Sequence, residues 1–332
     1  MGQELASGMT TSREVRLAAV PEGLPTPEHL SVVEGPLPVP GPGEVLVRNR
    51  FFQVFPALRT LFGGGVEGTP FPPLHPGDTL FGGAIGEVVE GPLPRGALIS
   101  HWLGWREFAV VPVEQCVVLD DTLPDPVAHL SQGLTAFAAL TRAVEIKPGD
   151  TVFVSGGAGA VGSLAAQYAK RLGAGRVIGS TGSAWKADRM RSEFGYDAVV
   201  LRGDMQLDEG IDVFVDNVGG DQLTAAITAA NDGARFVLVG ALSSQLSPDH
   251  PGTTAFTEVD LLQLIAKRIT MRGLSPLDYA GAQGEWAERF GAWLRSGEVT
   301  FPHTRIAGIE NAPRALHELL SGQHVGAVIV EF

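Results

Sequence analysis

Along the first third of the chain, apolar and polar positions alternate in short runs broken by proline and glycine, the pattern of half-buried strands. Residues 45–49, after Gly41-Pro42-Gly43, and then 86–90 and 106–111 carry this period of two, and helix signals are scarce. From residue 126 the texture changes. An amphipathic stretch, 129–144, reads as a helix that stops before Lys147-Pro148-Gly149-Asp150. An apolar strand at 151–155, a glycine loop and a helix at 160–172 follow, the helix presenting Ala165, Ala166 and Ala169 as a small-residue face and ending at Gly173. Further strands are expected at 176–179, 198–201, 212–216 and 234–239, spaced by helical segments as βαβ units require, so the fold class is α/β with a doubly wound parallel sheet. One more strand at 269–274, helices at 286–296 and 312–321, and a terminal strand at 327–332 complete the pattern. The organisation expected is a β-rich domain from residues 1–126 and 275–332 around an α/β domain of residues 127–274.

Composition narrows the function classes. A chain of 332 residues is long enough for two cores with a pocket between them. With 24 basic against 37 acidic residues and no basic stripe, a nucleic-acid partner is not expected. The single cysteine, Cys116, excludes an intramolecular disulfide and fits a reducing compartment. Residues 1–12 hold no apolar run of signal-peptide length, and nowhere are there about 18 uninterrupted apolar residues, so a cytoplasmic protein with no membrane partner is expected, its first ten residues a tail.

The strongest local signal is Gly157-Ala158-Gly159-Ala160-Val161-Gly162, between an expected strand and an expected helix. Gly157 would permit the tight turn, Gly159 would let a pyrophosphate approach the backbone, and Gly162 would let helix and strand pack closely. Free N–H groups at the helix start then attract phosphate. At the end of the second strand an NAD site usually places a carboxylate; here Gly179-Ser180-Thr181-Gly182-Ser183-Ala184-Trp185-Lys186 has none. Hydroxyls of Ser180, Thr181 and Ser183 with the Lys186 ammonium can donate to a 2′-phosphate, so NADPH is the expected cofactor. Arg202 is either a second cation for that phosphate or a solvated surface arginine.

The sequence resembles the zinc-independent branch of the medium-chain dehydrogenase/reductase superfamily, that of prostaglandin, leukotriene and alkenal double-bond reductases and quinone oxidoreductases. The resemblance rests on Pro42-Gly43-Glu44-Val45-Leu46-Val47-Arg48-Asn49, Gly104-Trp105-Arg106-Glu107-Phe108, Gly133-Leu134-Thr135-Ala136, the glycine loop, Gly182-Ser183 with Lys186, Asp216-Asn217-Val218-Gly219-Gly220, and Gly240-Ala241-Leu242-Ser243. It implies a Rossmann domain joined to a GroES-like catalytic domain. It also implies cofactor contacts from Thr135, Lys186, Asn217, Leu274 and the backbone of Gly240, Ala241, Leu242 and Ser243, and a homodimer paired through the last Rossmann strand. Asn217 capping a turn and Gly240 serving as a strand exit are the plainer alternatives. Where zinc-dependent relatives carry a cysteine and a Gly-His-Glu segment, this chain reads Phe52-Gln53-Val54-Phe55 and Phe81-Gly82-Gly83-Ala84, and no metal site is expected.

The chain also departs from the branch. A family tyrosine position holds Ala57, a second holds Gln245, a cofactor-side tyrosine falls on Arg202, and the usual Asn-x-Gly-Lys reads His324-Val325-Gly326-Ala327, so His324 is expected to take over a cofactor contact. Reducing an enone needs hydride at the β carbon, charge stabilisation on the carbonyl oxygen and a proton at the α carbon. The usual phenol is missing, and Gln53, His101 and Gln245 are the side-chain candidates. Phe51, Phe52, Phe55, Phe62, Trp102 and Trp105 suggest an aromatic surface for a small hydrophobic or aromatic electrophile. The expected activity is NADPH-dependent reduction of an activated carbon–carbon double bond; a quinone reductase and a non-enzymatic NADPH sensor are the rivals.

Overall fold

The computed structural model describes residues 10–67, 69, 71–207, 210–249, 252–275, 279 and 281–332. Of the expected tail only Thr10 falls among them. The first domain is built on the long strand Glu44–Val54, which pairs with Ala84–Glu90, Phe108–Pro112 and, from the other end of the chain, Ala327–Glu331. His303–Ala307, Leu98–His101 and Val117–Val118 complete a seven-stranded sheet, beside an antiparallel pair, Thr11–Leu17 and Leu30–Pro36. Two register shifts, at Leu46/Val47 and Asn49/Phe51, let the long strand serve two cores. Val45 and Val47 bury against Val88, Ile99 and Val111, whereas Phe52 and Val54 bury against Leu58, Leu61, Trp105 and Leu316. Each such side chain contributes about 1.5–3 kcal/mol relative to exposure.

The second sheet is formed by β1 (Thr151–Val154), β2 (Arg176–Thr181), β3 (Ala198–Leu201), β4 (Ile211–Asp216), β5 (Ala230–Leu238) and β6 (Thr270–Gly273). All its pairs are parallel and the order is β3-β2-β1-β4-β5-β6. The chain moves outward from β1 to β3 and then returns to β4, so a crevice opens at the carboxyl ends of β1 and β4, where open α/β sheets bind ligands. Helices α1 (Gly162–Arg171), α2 (Ala184–Glu193) and α3 (Asp221–Ala229) connect the strands. Phe153, Phe214 and Phe236, all fully buried, pack ring to ring on one face at 5.0 and 5.2 Å.

Several boundaries differ from expectation. Asp125 caps a short turn at Pro126–Leu130, so the amphipathic helix begins at Gly133 and ends as a wider π-type turn at Ala139–Ala143. Ala282, Trp286, Phe290 and Val299 bury in the same core as Phe137 and Tyr168, and His303–Ala307 is the first later element to join the seven-stranded sheet. No described helix is long and apolar enough to cross a membrane.

Candidate functional site

At the end of β1 the chain turns at Gly156, whose φ of +61° requires glycine. The sequence assigned that turn to Gly157, which is needed for a different reason. A Cβ there would lie 2.5 Å from Met190 Cε and 2.6 Å from the Tyr196 hydroxyl. Gly162 is constrained by backbone, with a Cβ at 2.6 Å from both the Gly156 oxygen and Gly157 Cα, which is the close packing expected of it. Gly159 is exposed at the crest of the loop, and Ala160 and Val161 follow half-buried. No side chain caps α1, and of its first-turn N–H groups those of Ser163 and Leu164 already donate to the Gly159 and Val161 oxygens, so the helix dipole and the N–H groups of Val161 and Gly162 are what the start of α1 offers an anion.

Tyr196, which sequence reading passed over, braces this loop from below. Its buried hydroxyl lies 2.8 Å from the Gly162 oxygen and 3.3 Å from that of Gly157. Ser180 does similar work: its hydroxyl accepts from Gly156 N–H at 3.0 Å and donates to Gln222 Oε1 at 2.5 Å. Ser180 is 1% exposed and its hydroxyl is spent inside the fold, so it is not available to a phosphate as the sequence suggested.

The remaining residues of the second loop do converge. Thr181 ends β2, Ser183 is the N-cap of α2 with no capping bond from its side chain, and Lys186 lies in the first turn. Arg202, just past β3, packs so tightly over Gly182 that a Cβ there would be 2.7 Å from its Nη2. Burial and the Arg202 charge both hold the Lys186 ammonium below the ordinary lysine range. Lys186 Nζ donates to the Gly322 carbonyl at 2.5 Å, across from the other domain, and sits 5.5 Å from the ring centre of Trp185. His324 stands nearby with Nε2 3.1 Å from Glu318 Oε2. Two converging cations over an uncapped helix start, with no acid on the second loop, suit a doubly phosphorylated nucleotide.

Beyond β4, Asp216 and Asn217 fix the third loop. Buried Asp216 accepts from the Ser155 hydroxyl and from the N–H groups of Val218 and Gly219, while Asn217 Nδ2 donates to the Ser155 oxygen at 2.7 Å. Burial raises the Asp216 carboxyl above its usual range against the pull of those donors. The segment Gly240–Ser243 lies directly on this loop: Leu242 N–H donates to the Asn217 oxygen, Ser243 N–H to the Val218 oxygen, and a Cβ on Gly240 would lie 2.9 Å from the Asn217 oxygen. Ala241 is the half-buried N-cap of the short helix Leu242–Gln245, and Leu274 N–H continues the edge by donating to Leu238. Thr135 is buried in the helix Gly133–Ala138, its hydroxyl 3.3 Å from Gln132 Oε1.

The two domains meet over this crevice. Gly326 N–H donates to the Ala158 oxygen at 2.9 Å, and Gln245 Nε2 donates to Thr60 Oγ1 at 3.2 Å. Of the proton-donor candidates, Gln53 is buried beside Gly83, with a Cβ there 3.7 Å from its Oε1. His101 is not suited to the role. Its Nδ1 accepts from Leu103 N–H at 3.1 Å and its Nε2 bonds Asn49 Oδ1 at 2.9 Å, so both nitrogens are used within the first domain. Burial pushes its pKa down to about 4.

The aromatic surface is also composed differently. Phe52, Phe62 and Trp105 are core residues, at most 2% exposed, and Phe51 lies under the Arg305 guanidinium, 5.4 Å from its ring centre. A partly exposed group remains, in which Phe71 contacts Phe55, Phe81 and Trp102 at 6.3, 6.0 and 5.3 Å between ring centres. Phe55, Phe71 and Phe81, like Leu246 just after Gln245, pack against the core of the first domain that holds Phe52 and Trp105. Phe71 and Phe81 were legible only as loop aromatics among prolines and glycines.

Comparison with known proteins supplies the family. The family described as N-terminal domain of oxidoreductase matches residues 13–119, and that described as zinc-binding dehydrogenase matches residues 160–293. Among the described residues, no group of three or more histidine, cysteine, aspartate or glutamate side chains could hold a metal ion. The chain is 33% identical to the putative NADP-dependent oxidoreductase YfmJ of Bacillus subtilis (strain 168), covering 97% of this chain and 98% of that protein. It is 30% identical to the 2-alkenal reductase (NADP(+)-dependent) of Nicotiana tabacum, covering 87% and 88%. It superimposes on CurA from Vibrio vulnificus in complex with NADPH with a TM-score of 0.84 and 28% identity, over 96% of this chain and 98% of that one. The chain belongs to the medium-chain dehydrogenase/reductase superfamily, in its double-bond reductase branch.

Proposed function

We propose that this protein is an NADPH-dependent reductase of activated carbon–carbon double bonds, acting on α,β-unsaturated ketones or aldehydes in the cleft between its domains. The observation that carries the reading is the pairing of the uncapped α1 loop with the Lys186–Arg202 corner, 24 residues or more downstream in sequence but adjacent at the sheet's carboxyl edge. The fit to the cofactor is a matter of donors: the N–H groups of Val161 and Gly162 at the start of α1 for the pyrophosphate, and Ser183, Lys186 and Arg202 for the 2′-phosphate. Asn217, Gly240–Ser243, Thr135 and Leu274 would hold the nicotinamide end. When bound, NADPH supplies the hydride; the chain orients the partners and excludes water. Phe55, Phe71, Phe81 and Trp102 offer a planar acceptor an apolar wall. Gln245, whose amide nitrogen donates to Thr60 across the cleft, would supply the second N–H of that amide to a carbonyl oxygen of the acceptor.

The missing phenols at Ala57 and Gln245 favour quinone reduction as the second reading, because reduced quinone oxygens collect protons from solvent. Loss of nicotinamide absorbance, followed with matched panels of enones, alkenals and quinones, separates the two. Enones turned over faster than quinones is the expected result. Cofactor bound but oxidised no faster than background by every acceptor would leave a sensor, and overturn the enzymatic reading.

A further inference from the structure

We propose that Glu318 and His324, on the C-terminal segment of the first domain, set the preference for a 2′-phosphorylated nucleotide, His324 taking up a proton as the phosphate binds. The inference rests on the reading of Lys186 and Arg202 as the 2′-phosphate ligands. It concerns a wall of that site contributed by the opposite domain. Helix Ala312–Leu320 ends there, and the turn after it brings the Gly322 carbonyl to Lys186 Nζ; a Cβ at Gly322 would lie 3.9 Å from that nitrogen. Two residues on, the His324 imidazole contacts Glu318, the two side chains only 10% and 17% exposed. Glu318 Oε1 is held in turn by Arg314 at 2.6 Å.

The charged groups facing His324 are therefore Glu318 and Arg314 on its own segment and Lys186 on α2, with Arg202 behind Lys186. Burial, Lys186 and Arg314 hold the imidazole below its ordinary range, outweighing Glu318. In that state only Arg314 offsets the negative charge that Glu318 brings to the edge of the proposed anion site. A phosphate monoester brings roughly −1.5 to −2 charges to the corner. It neutralises the cations that disfavour imidazolium and adds attraction of its own, so the proton becomes favoured, and the imidazolium shields the phosphate from Glu318. By linkage, a ligand that binds with proton uptake binds more weakly as pH rises. The phosphate's own second ionisation, near about 6, works the other way, since the dianion binds cations better. NADH has no 2′-phosphate, so the ratio of the two affinities isolates these two phosphate-linked effects, and comparison of wild type with His324→Asn separates one from the other.

The test measures dissociation constants for NADPH and NADH from about pH 6 to about pH 8. Calorimetry in two buffers of different ionisation enthalpy counts the proton. In the wild-type protein the NADPH-over-NADH preference is expected to fall roughly fivefold across that range, a coupling at the low end of the usual scale, with fractional proton uptake on binding NADPH alone. In His324→Asn, which keeps a donor for Glu318, the preference should be flat or rise with pH and the uptake should vanish. Glu318→Gln should tighten NADPH at the alkaline end. The same decline and uptake in His324→Asn as in wild type would overturn the proposal. Lys186→Ala separates this from failure of the underlying reading: if it weakens both cofactors equally, the 2′-phosphate assignment itself is wrong.

Discussion

Lys186 is the side chain whose loss should be most selective. Its side chain is buried, its ammonium shares its corner with Arg202 and donates to a backbone carbonyl, so an arriving phosphate finds a cation with no acid paired to it among the described residues. Lys186→Ala is expected to weaken NADPH roughly ten- to a hundredfold, on the basis of about 1.5–3 kcal/mol for a hydrogen bond to a charged group, with little change for NADH; cofactor fluorescence titration reads both. His101 gives a second prediction, of stability. The unfolded chain binds a proton on this imidazole below about pH 6.5, whereas the folded protein refuses it down to about 4. The lowered folded value means stability is lost as pH falls through that window, by at most about 3 kcal/mol. Urea unfolding of wild type and His101→Gln at about pH 7 and about pH 4.5 should show the gap between them narrowing at acid pH; a constant gap would remove the buried neutral imidazole from the account.

At the scale of elements, the glycine loop is a rigid bracket held from outside itself. Backbone surrounds Gly162, so Gly162→Ala must push α1 off β1 and is expected to cost about 1–3 kcal/mol in urea unfolding and to weaken both nicotinamide cofactors alike. Tyr196→Phe removes only the hydroxyl under Gly157 and Gly162. It should cost about 1 kcal/mol of stability, and unaltered affinity for both cofactors would show that the brace does not position the loop. The motif itself could be read from the chain because glycines between an apolar strand and an alanine-faced helix have few other uses. Which glycine did what could not: Gly156 carries the positive φ, and the demand on Gly157 comes from Met190 and Tyr196, more than 30 residues away. Ser180 misled for a similar reason. A hydroxyl at a strand end looks available until Gln222, on a helix two strands later, claims it. The first hairpin, Thr11–Leu17 with Leu30–Pro36, was missed because its strands are separated by a long loop and lie next to a stretch read as tail.

At the scale of the whole molecule, local period and punctuation carry the layers, but contacts across the cleft depend on where two domains come to rest. The Lys186–Gly322 and Gln245–Thr60 bonds join residues 136 and 185 positions apart, and no pattern in the chain announces them. The outer edge of the Rossmann sheet raises the same question for a second copy of the chain. β6 pairs only with β5 and leaves one side of its backbone without a partner strand among the described residues, and in the segment just before it in the chain Phe256, Leu261, Leu262 and Ile265 are 93, 64, 76 and 72% exposed. A strand edge bordered by large apolar side chains is a liability in a monomer. Two copies related by a twofold axis would extend the sheet across this edge and bury the four side chains twice over. Sedimentation at micromolar concentration is therefore expected to give twice the 34.9 kDa chain mass. Ile265→Glu with Leu262→Glu, which puts charge on two side chains exposed in the monomer, should give a monomer that still binds NADPH. Wild-type protein sedimenting as a single chain would leave that apolar edge to some other partner.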